Sequence, residues 1–173
     1  MIENQIKDSI NLKNKILQDK RFINLIAEVS QLCTNIYKKG NKTLLAGNGG
    51  SAADSQHIAA EFVSRFYFDR PGIPSIALTT DTSIITAIGN DYGYEQLFAR
   101  QIEALGNEGD MFFALSTSGN SNNIIKGILK AASDQKLENV FVHAFTDGRD
   151  VDPKSGIKHI AHLQDYMQQT TGR

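Results

Sequence analysis

Ala46-Gly47-Asn48-Gly49-Gly50-Ser51-Ala52-Ala53-Asp54-Ser55-Gln56-His57, followed four residues on by Glu61, decides the reading of this chain. A short run ending in apolar residues, Asn41 to Leu45, precedes it, and helical apolar spacing follows at Ile58, Phe62 and Phe66. Strand, tight glycine turn and helix start therefore lie in one line. Gly47, Gly49 and Gly50 permit positive φ and close backbone approach, and Ser51 can cap the new helix while offering its hydroxyl to an anion. Phosphate is the expected guest of such a turn.

The glycines alone do not settle the matter. GNGGS has neither the Lys-Ser/Thr of a Walker loop nor the spacing of a dinucleotide fingerprint, and a strand-to-helix turn needs glycine for its geometry in any case. The surrounding chain supplies the context. Strands are expected at 43 to 46, 74 to 79, 110 to 115 and 140 to 144, joined by helices at 51 to 68, 93 to 105 and 121 to 135. Met111-Phe112-Phe113-Ala114-Leu115 is continuously apolar, as a strand buried on both faces is. The fold class is thus α/β, a central parallel sheet covered by helices. Ligands in such sheets gather beyond the carboxyl ends of the strands, where Asn48 to Ser51, Thr79 to Ser83 and Ser116 to Ser121 stand.

Two helices precede the sheet. Residues 2 to 18 carry only a thin stripe of Ile6, Ile10, Leu12 and Ile16, too sparse for an isolated helix, so it should lie against something else such as a second subunit. Residues 21 to 38 have a fuller stripe that includes Phe22, Leu25, Ile26, Val29, Leu32 and Ile36, and Gly40 ends the helix. The 173 residues suit one globular domain: 40% are hydrophobic and only 3 are proline, which argues against disorder. With 18 basic and 19 acidic side chains, a net charge of -1 gives no electrostatic reason to expect nucleic acid or an anionic membrane. Cys33, the single cysteine, lies in an apolar helical pattern and reads as core packing. No long apolar span or secretory leader is visible, so a soluble cytoplasmic protein is expected.

Three polar clusters interrupt this apolar chain. Ser116-Thr117-Ser118-Gly119-Asn120-Ser121 places four hydroxyls at a strand-to-helix junction, where they can surround a phosphate without lysine or arginine. His57 and Glu61 share a helix face. They can ligate one divalent ion or act as an acid-base pair across a substrate carbon. In the plainer reading they are a capped histidine and a surface glutamate near Arg65. Asn90-Asp91, between glycines at 89 and 93, can bind sugar hydroxyls or simply form a turn.

Residues 1 to about 132 resemble the phosphoheptose isomerases of the sugar isomerase (SIS) superfamily. The resemblance is carried by GNGGSAADSQHIAAEFVSRF at 47 to 66, ALTTDTSIITAIGNDYGYEQLFARQIEALG at 77 to 106 and LSTSGNSNNIIKGI at 115 to 128. It implies an SIS-type three-layer sandwich, with residues 1 to 40 as N-terminal helices of the same domain and 41 to 132 as its core. It implies that Asn48, Gly49, Gly50, Ser51, Asn90 and Asp91 contact substrate and that Ser116, Thr117, Ser118 and Ser121 hold its phosphate. His57 and Glu61 would be ligands of zinc (Zn2+), with Glu61 also a base beside the reacting carbons. The implied reaction converts D-sedoheptulose 7-phosphate to D-glycero-D-manno-heptose 7-phosphate through an enediol, feeding bacterial surface-sugar (lipopolysaccharide) synthesis. Homotetramers with sites shared across subunit interfaces are implied as well.

The chain departs from that family after the third loop. The family's C-terminal helix carries a Gln-Glu-x-His pattern and a later His, which supply the remaining metal ligands and the partner acid/base. That pattern is not found here. Instead LENVFVHAFTDGRDVDPKSG at 137 to 156 resembles a stretch of the cofactor-independent phosphoglycerate mutases, in which Arg149 and Asp150 would contact phosphoglycerate. The mutase's phosphorylated serine and two-manganese site have no counterpart here, so mutase activity is not expected. The tail, 133 to 173, can add one strand and one helix (157 to 169). A free or packed histidine is the favoured reading there, although one of His159, His162, Gln164 and Gln168 can stand in for the lost groups. Their loss predicts impaired turnover, and the alternative is a non-catalytic SIS module that binds a sugar phosphate.

Overall fold

Thr43–Gly47 (β1) is buried at all five positions and lies at the centre of the sheet. In the computed structural model, which describes residues 1–133 and the backbone of 137–144, four strands run in the order β2-β1-β3-β4, all parallel. The others are Ser75–Ala77 (β2), Asp110–Ser116 (β3) and Leu137–Ala144 (β4). Leu44 stands beside Ile76 on one side and Phe112 on the other. The helices are Ile2–Gln18 (α1), Lys20–Lys38 (α2), Gly50–Val63 (α3), Thr82–Asp91 (α4), Leu97–Leu105 (α5) and Asn122–Ser133 (α6).

Alternation along the strands divides the core in two. Leu44, Ala46, Phe112 and Ala114 pack with Phe98 and Ile102 of α5 and Ile124 and Ile128 of α6, while Ile85 and Ile88 of α4 lie against the same cluster. Leu45, Ala77 and Phe113 point the other way, towards Ala59 of α3. On that second face Cys33 of α2 places its Sγ 3.5 Å from the Met111 Sδ, and Tyr37 stacks obliquely on Phe62 of α3 at 5.7 Å. Burial pushes the Cys33 thiol up, in keeping with a packing role. The result is the expected three-layer α/β arrangement, with α2 and α3 below the sheet and α4, α5 and α6 above it.

Several boundaries depart from the sequence reading, β4 beginning at Leu137 rather than 140 and β2 shortening to Ser75–Ala77 among them. Residues 82 to 91, read as loop and turn, form α4, because the Asp81 carboxylate accepts from the Ile84 N–H at 2.9 Å and caps the helix. Its β-branched residues and Gly89 disguise this helix, whose apolar side is Ile85 and Ile88. The helix expected over 93 to 105 begins as a 3₁₀ turn, Tyr94–Gln96, before α5. α3 stops at Val63 rather than 68, and the Arg70 guanidinium folds back to donate to the carbonyls of Glu61 (2.7 Å) and Phe62 (2.8 Å). The Phe62 carbonyl also accepts from the Ile73 N–H at 3.0 Å, so Arg70 and the returning chain together satisfy the exposed end of α3. The expected helix at 157 to 169, together with His159, His162, Gln164, Gln168, Arg149 and Asp150, lies outside the described residues.

A buried hydroxyl chain joins α2 to the sheet: Tyr37 OH lies 2.9 Å from Thr43 Oγ1, which donates to Ser75 Oγ at 2.8 Å. Burial pushes the Tyr37 phenol up to about 12, against the opposing pull of its hydrogen bond to Thr43. The folded value exceeds that of an unfolded tyrosine, about 10. Folding therefore favours the protonated phenol, and this contribution is complete below about pH 10 and lost as pH climbs towards about 12. Denaturant unfolding followed across that window should show the loss, and Tyr37→Phe should flatten it; an equal alkaline decline in the variant would assign it to other groups.

Candidate functional site

The order β2-β1-β3 contains a topological switch point. The chain leaves β1 for α3 on one face of the sheet and leaves β3 for α6 on the other, so the loops after these adjacent strands diverge and leave a crevice between them. Gly47 closes the first loop. A Cβ there would meet the Ser51 carbonyl carbon at 2.5 Å and the Ser51 Cβ at 2.8 Å, so no side chain fits between β1 and the incoming helix. Gly49, at φ 55, is the N-cap of α3. Ser51 is therefore inside the first turn and is not the cap the sequence suggested; no side chain caps this helix.

In the second loop the Ser116 Oγ accepts from the Gly119 N–H at 3.0 Å and the Ser118 Oγ accepts from the Asn120 N–H at 3.2 Å. Each hydroxyl thus spends acceptor capacity on the turn and keeps its own proton to donate. Ser116 is buried, whereas Thr117 and Ser118 are exposed.

A cavity of about 440 Å³ opens between the loops. Among the residues singled out in the sequence, it is lined by Ser51, His57 and Glu61 of α3 and by Ser116 and Thr117 after β3. Gly49 and Gly50 stand on the first loop, and Ser118 and Ser121 on the second, outside this lining. Asn48 is turned to Asn123 of α6 and to Tyr94, with 2.9 Å hydrogen bonds to each. Asn90 donates to its neighbour Asp91 at 2.7 Å at the exposed end of α4, so the structure places this pair apart from the cavity lining.

His57 Nε2 and Glu61 Oε1 are 3.2 Å apart, one helical turn separating them. The His57 side chain is 76% exposed and that of Glu61 37%. The remaining wall was not anticipated: Asp54, Ile58, Phe62, Phe66, Leu115 and Arg70. Ile58, Phe62 and Asp54 follow from the helical period of α3. Arg70 had no sequence signal, because it reaches the cavity only through the irregular chain after α3.

The expectation of zinc is corrected by this geometry. His57 and Glu61 provide two donors, a closed site needs more, and among the described residues no group of three His, Cys, Asp or Glu side chains converges. The donor set does not fit the ion. The two side chains instead make a direct imidazole-carboxylate pair, which can accept and return a proton.

The SIS domain family model matches residues 9–138, which take in β1, β2 and β3 of the parallel sheet and both diverging loops. The chain belongs to the SIS-domain family, among the phosphoheptose isomerases. It is 66% identical over 127 residues to a phosphoheptose isomerase of Aneurinibacillus thermoaerophilus, covering 73% of this chain and 64% of that protein. It is 53% identical over 148 residues to the Burkholderia pseudomallei (strain K96243) phosphoheptose isomerase, covering 86% of this chain and 73% of the relative. The structure of a phosphoheptose isomerase from Francisella tularensis superposes with a TM-score of 0.78 at 30% identity, over 99% of this chain and 92% of that one. A second family model, the N-terminus of BPG-independent phosphoglycerate mutase, matches residues 115–173, in line with the resemblance seen in the tail. The chain spans just under two thirds of the Aneurinibacillus relative.

Proposed function

We propose that this protein is an aldose-ketose isomerase acting on D-sedoheptulose 7-phosphate to give D-glycero-D-manno-heptose 7-phosphate. The observation that carries the reading is the shared cavity, which puts the His57-Glu61 pair beside the hydroxyls of Ser51, Ser116 and Thr117. Ser116, Thr117, Ser118 and Ser121, with the first turn of α3, hold the phosphate through neutral donors. Gly49, Gly50 and the main chain of Asn48 take further contacts to the sugar, and Asn90 and Asp91, apart from the cavity lining of their own chain, contribute theirs across a subunit interface of the proposed tetramer. Glu61 removes the proton from the carbon next to the carbonyl, His57 protonates the carbonyl oxygen, and an enediol results. The proton then returns to the neighbouring carbon and the carbonyl re-forms one position along, so the step is balanced without an external oxidant or reductant. Holding the remote phosphate makes binding energy available for positioning.

In this reading residues 1 to 40 belong to the same domain as the core, 41 to 132, and the protein works in the cytoplasm as a homotetramer. Among the described residues no helix is long and apolar enough to cross a membrane. Support for assembly comes from α1, which buries no residue and leaves Ile2, Ile6 and Ile10 more than half exposed, and from Phe66, which lines the cavity, and Phe68, 53% and 69% exposed. Apolar surface of this extent marks an interaction face.

The test is an isomerisation assay on the purified chain with sedoheptulose 7-phosphate, run beside sedimentation analysis. Turnover by a four-copy species is expected. A folded protein that binds the sugar phosphate without converting it would establish the non-catalytic binding module instead, and a monomer at assay concentration would remove the tetramer from the proposal.

A further inference from the structure

Asn48 and Asn123 are 75 residues apart and face each other as a reciprocal amide pair. Asn48 Nδ2 donates to Asn123 Oδ1 and Asn123 Nδ2 donates to Asn48 Oδ1, both at 2.9 Å. Two further donors complete the arrangement: the Ile124 N–H reaches Asn123 Oδ1 and the Tyr94 hydroxyl reaches Asn48 Oδ1, again at 2.9 Å. The amide orientations follow from these partners rather than from convention. Turning Asn123 over would set its NH2 group against the Ile124 N–H, so its oxygen must face Ile124. Its Nδ2 then meets Asn48 Oδ1, which fixes Asn48, and the Tyr94 hydroxyl must donate.

Both carboxamide oxygens are consequently saturated, each accepting two hydrogen bonds. Asn48 Oδ1 has no lone pair left for a sugar hydroxyl; its side chain ties the loop. Asn48 immediately precedes Gly49, the N-cap of the helix that carries Glu61. Asn123 is 3% exposed and lies in the first turn of α6, directly after the hydroxyl loop. The pair thus spans the crevice between the loop proposed to hold phosphate and the helix proposed to hold the base.

We infer that Asn123 is a positioning residue, which through Asn48 fixes the spacing between the phosphate loop after β3 and the helix bearing Glu61, with Tyr94 locking Asn48 in the required orientation. The inference rests on the proposed isomerisation. It makes a specific demand: releasing the pair leaves each loop able to bind its part of the substrate but misaligns the two parts.

The test uses the full chain with Asn123→Ser, Tyr94→Phe and both together, sedoheptulose 7-phosphate as substrate and inorganic phosphate as competitor. Asn123→Ser is expected to lower kcat/KM about 10- to 100-fold, chiefly in kcat, while phosphate inhibition shifts by less than about threefold. Tyr94 is 61% exposed, so its phenylalanine variant keeps the fold; it should lower kcat/KM about threefold alone and add nothing once Asn123 is replaced. Unchanged kcat/KM in Asn123→Ser, phosphate affinity falling as far as kcat/KM, or additive losses would each overturn the inference. Should Asn123→Ser fail to fold, Tyr94→Phe decides: a loss at unchanged Tm supports the latch, and parity with the parent overturns it. Absence of turnover in the unaltered protein sinks the isomerase reading and this inference together, whereas an active parent matched by its variants sinks the inference alone.

Discussion

Glu61→Gln is expected to leave a folded protein that isomerises sedoheptulose 7-phosphate about 10² to 10⁴ times more slowly than the parent. Glutamine has the shape of glutamate and can still approach His57, 3.2 Å away, but it cannot take a proton from carbon. The fold has no stake in the carboxylate: the Arg70 bond at this residue is to the backbone carbonyl, and the side chain is partly exposed. Inhibition by inorganic phosphate should therefore stay as in the parent. Turnover within about tenfold of the parent would remove Glu61 as the base, since a positioned general base contributes more than that. A parallel loss of phosphate binding would point to a distorted α3 rather than to missing chemistry.

Asp110→Ala should act at the other end of the sheet and on stability alone. The Asp110 side chain is 1% exposed and begins β3. One oxygen accepts from the Lys42 N–H at 3.0 Å; the other accepts from Lys42 Nζ at 2.5 Å and the Asn107 N–H at 2.8 Å. It therefore clamps the entry to β1 to the entry to β3, the two central strands. Removing one partner of a buried pair leaves the other charge and two backbone donors uncompensated, at a cost of about 3–5 kcal/mol. Urea unfolding measures the cost, and Lys42→Met in the same chain should recover part of it. A loss below about 1 kcal/mol would mean that water replaces the carboxylate, as at a surface pair.

The two loops of the crevice were legible because their residues can do little else. Glycine at 47 and 49 and four hydroxyls in 116 to 121 mark tight turns wherever they fall, and the apolar runs on either side orient them. α4 was not legible, since Thr82, Ile84, Ile85, Thr86 and Ile88 are residues that favour strands and Gly89 suggests a turn; Asp81 as cap was the overlooked signal. The amide pair could not be read at all. Asn123 and Asn48 become partners only when β1 and β3 lie side by side, and an asparagine in a first helical turn is an ordinary residue. Arg70 is similar, being placed by an irregular segment that has no period. Zinc was a property carried over by resemblance, and the described side chains do not supply its ligands.

Neither crevice loop, 48 to 51 or 116 to 121, contributes a lysine or arginine. A phosphate held there as proposed is bound by hydroxyl and peptide dipoles at short range, while Arg70 of the cavity wall spends its guanidinium donors on the Glu61 and Phe62 carbonyls. Added salt weakens attraction between separated ions over about 10 Å at 0.1 M, but it does little to a dipole touching its guest. Affinity for the sugar phosphate should accordingly vary little with ionic strength, and the site would trade fast long-range capture of its ligand for indifference to the salt around it.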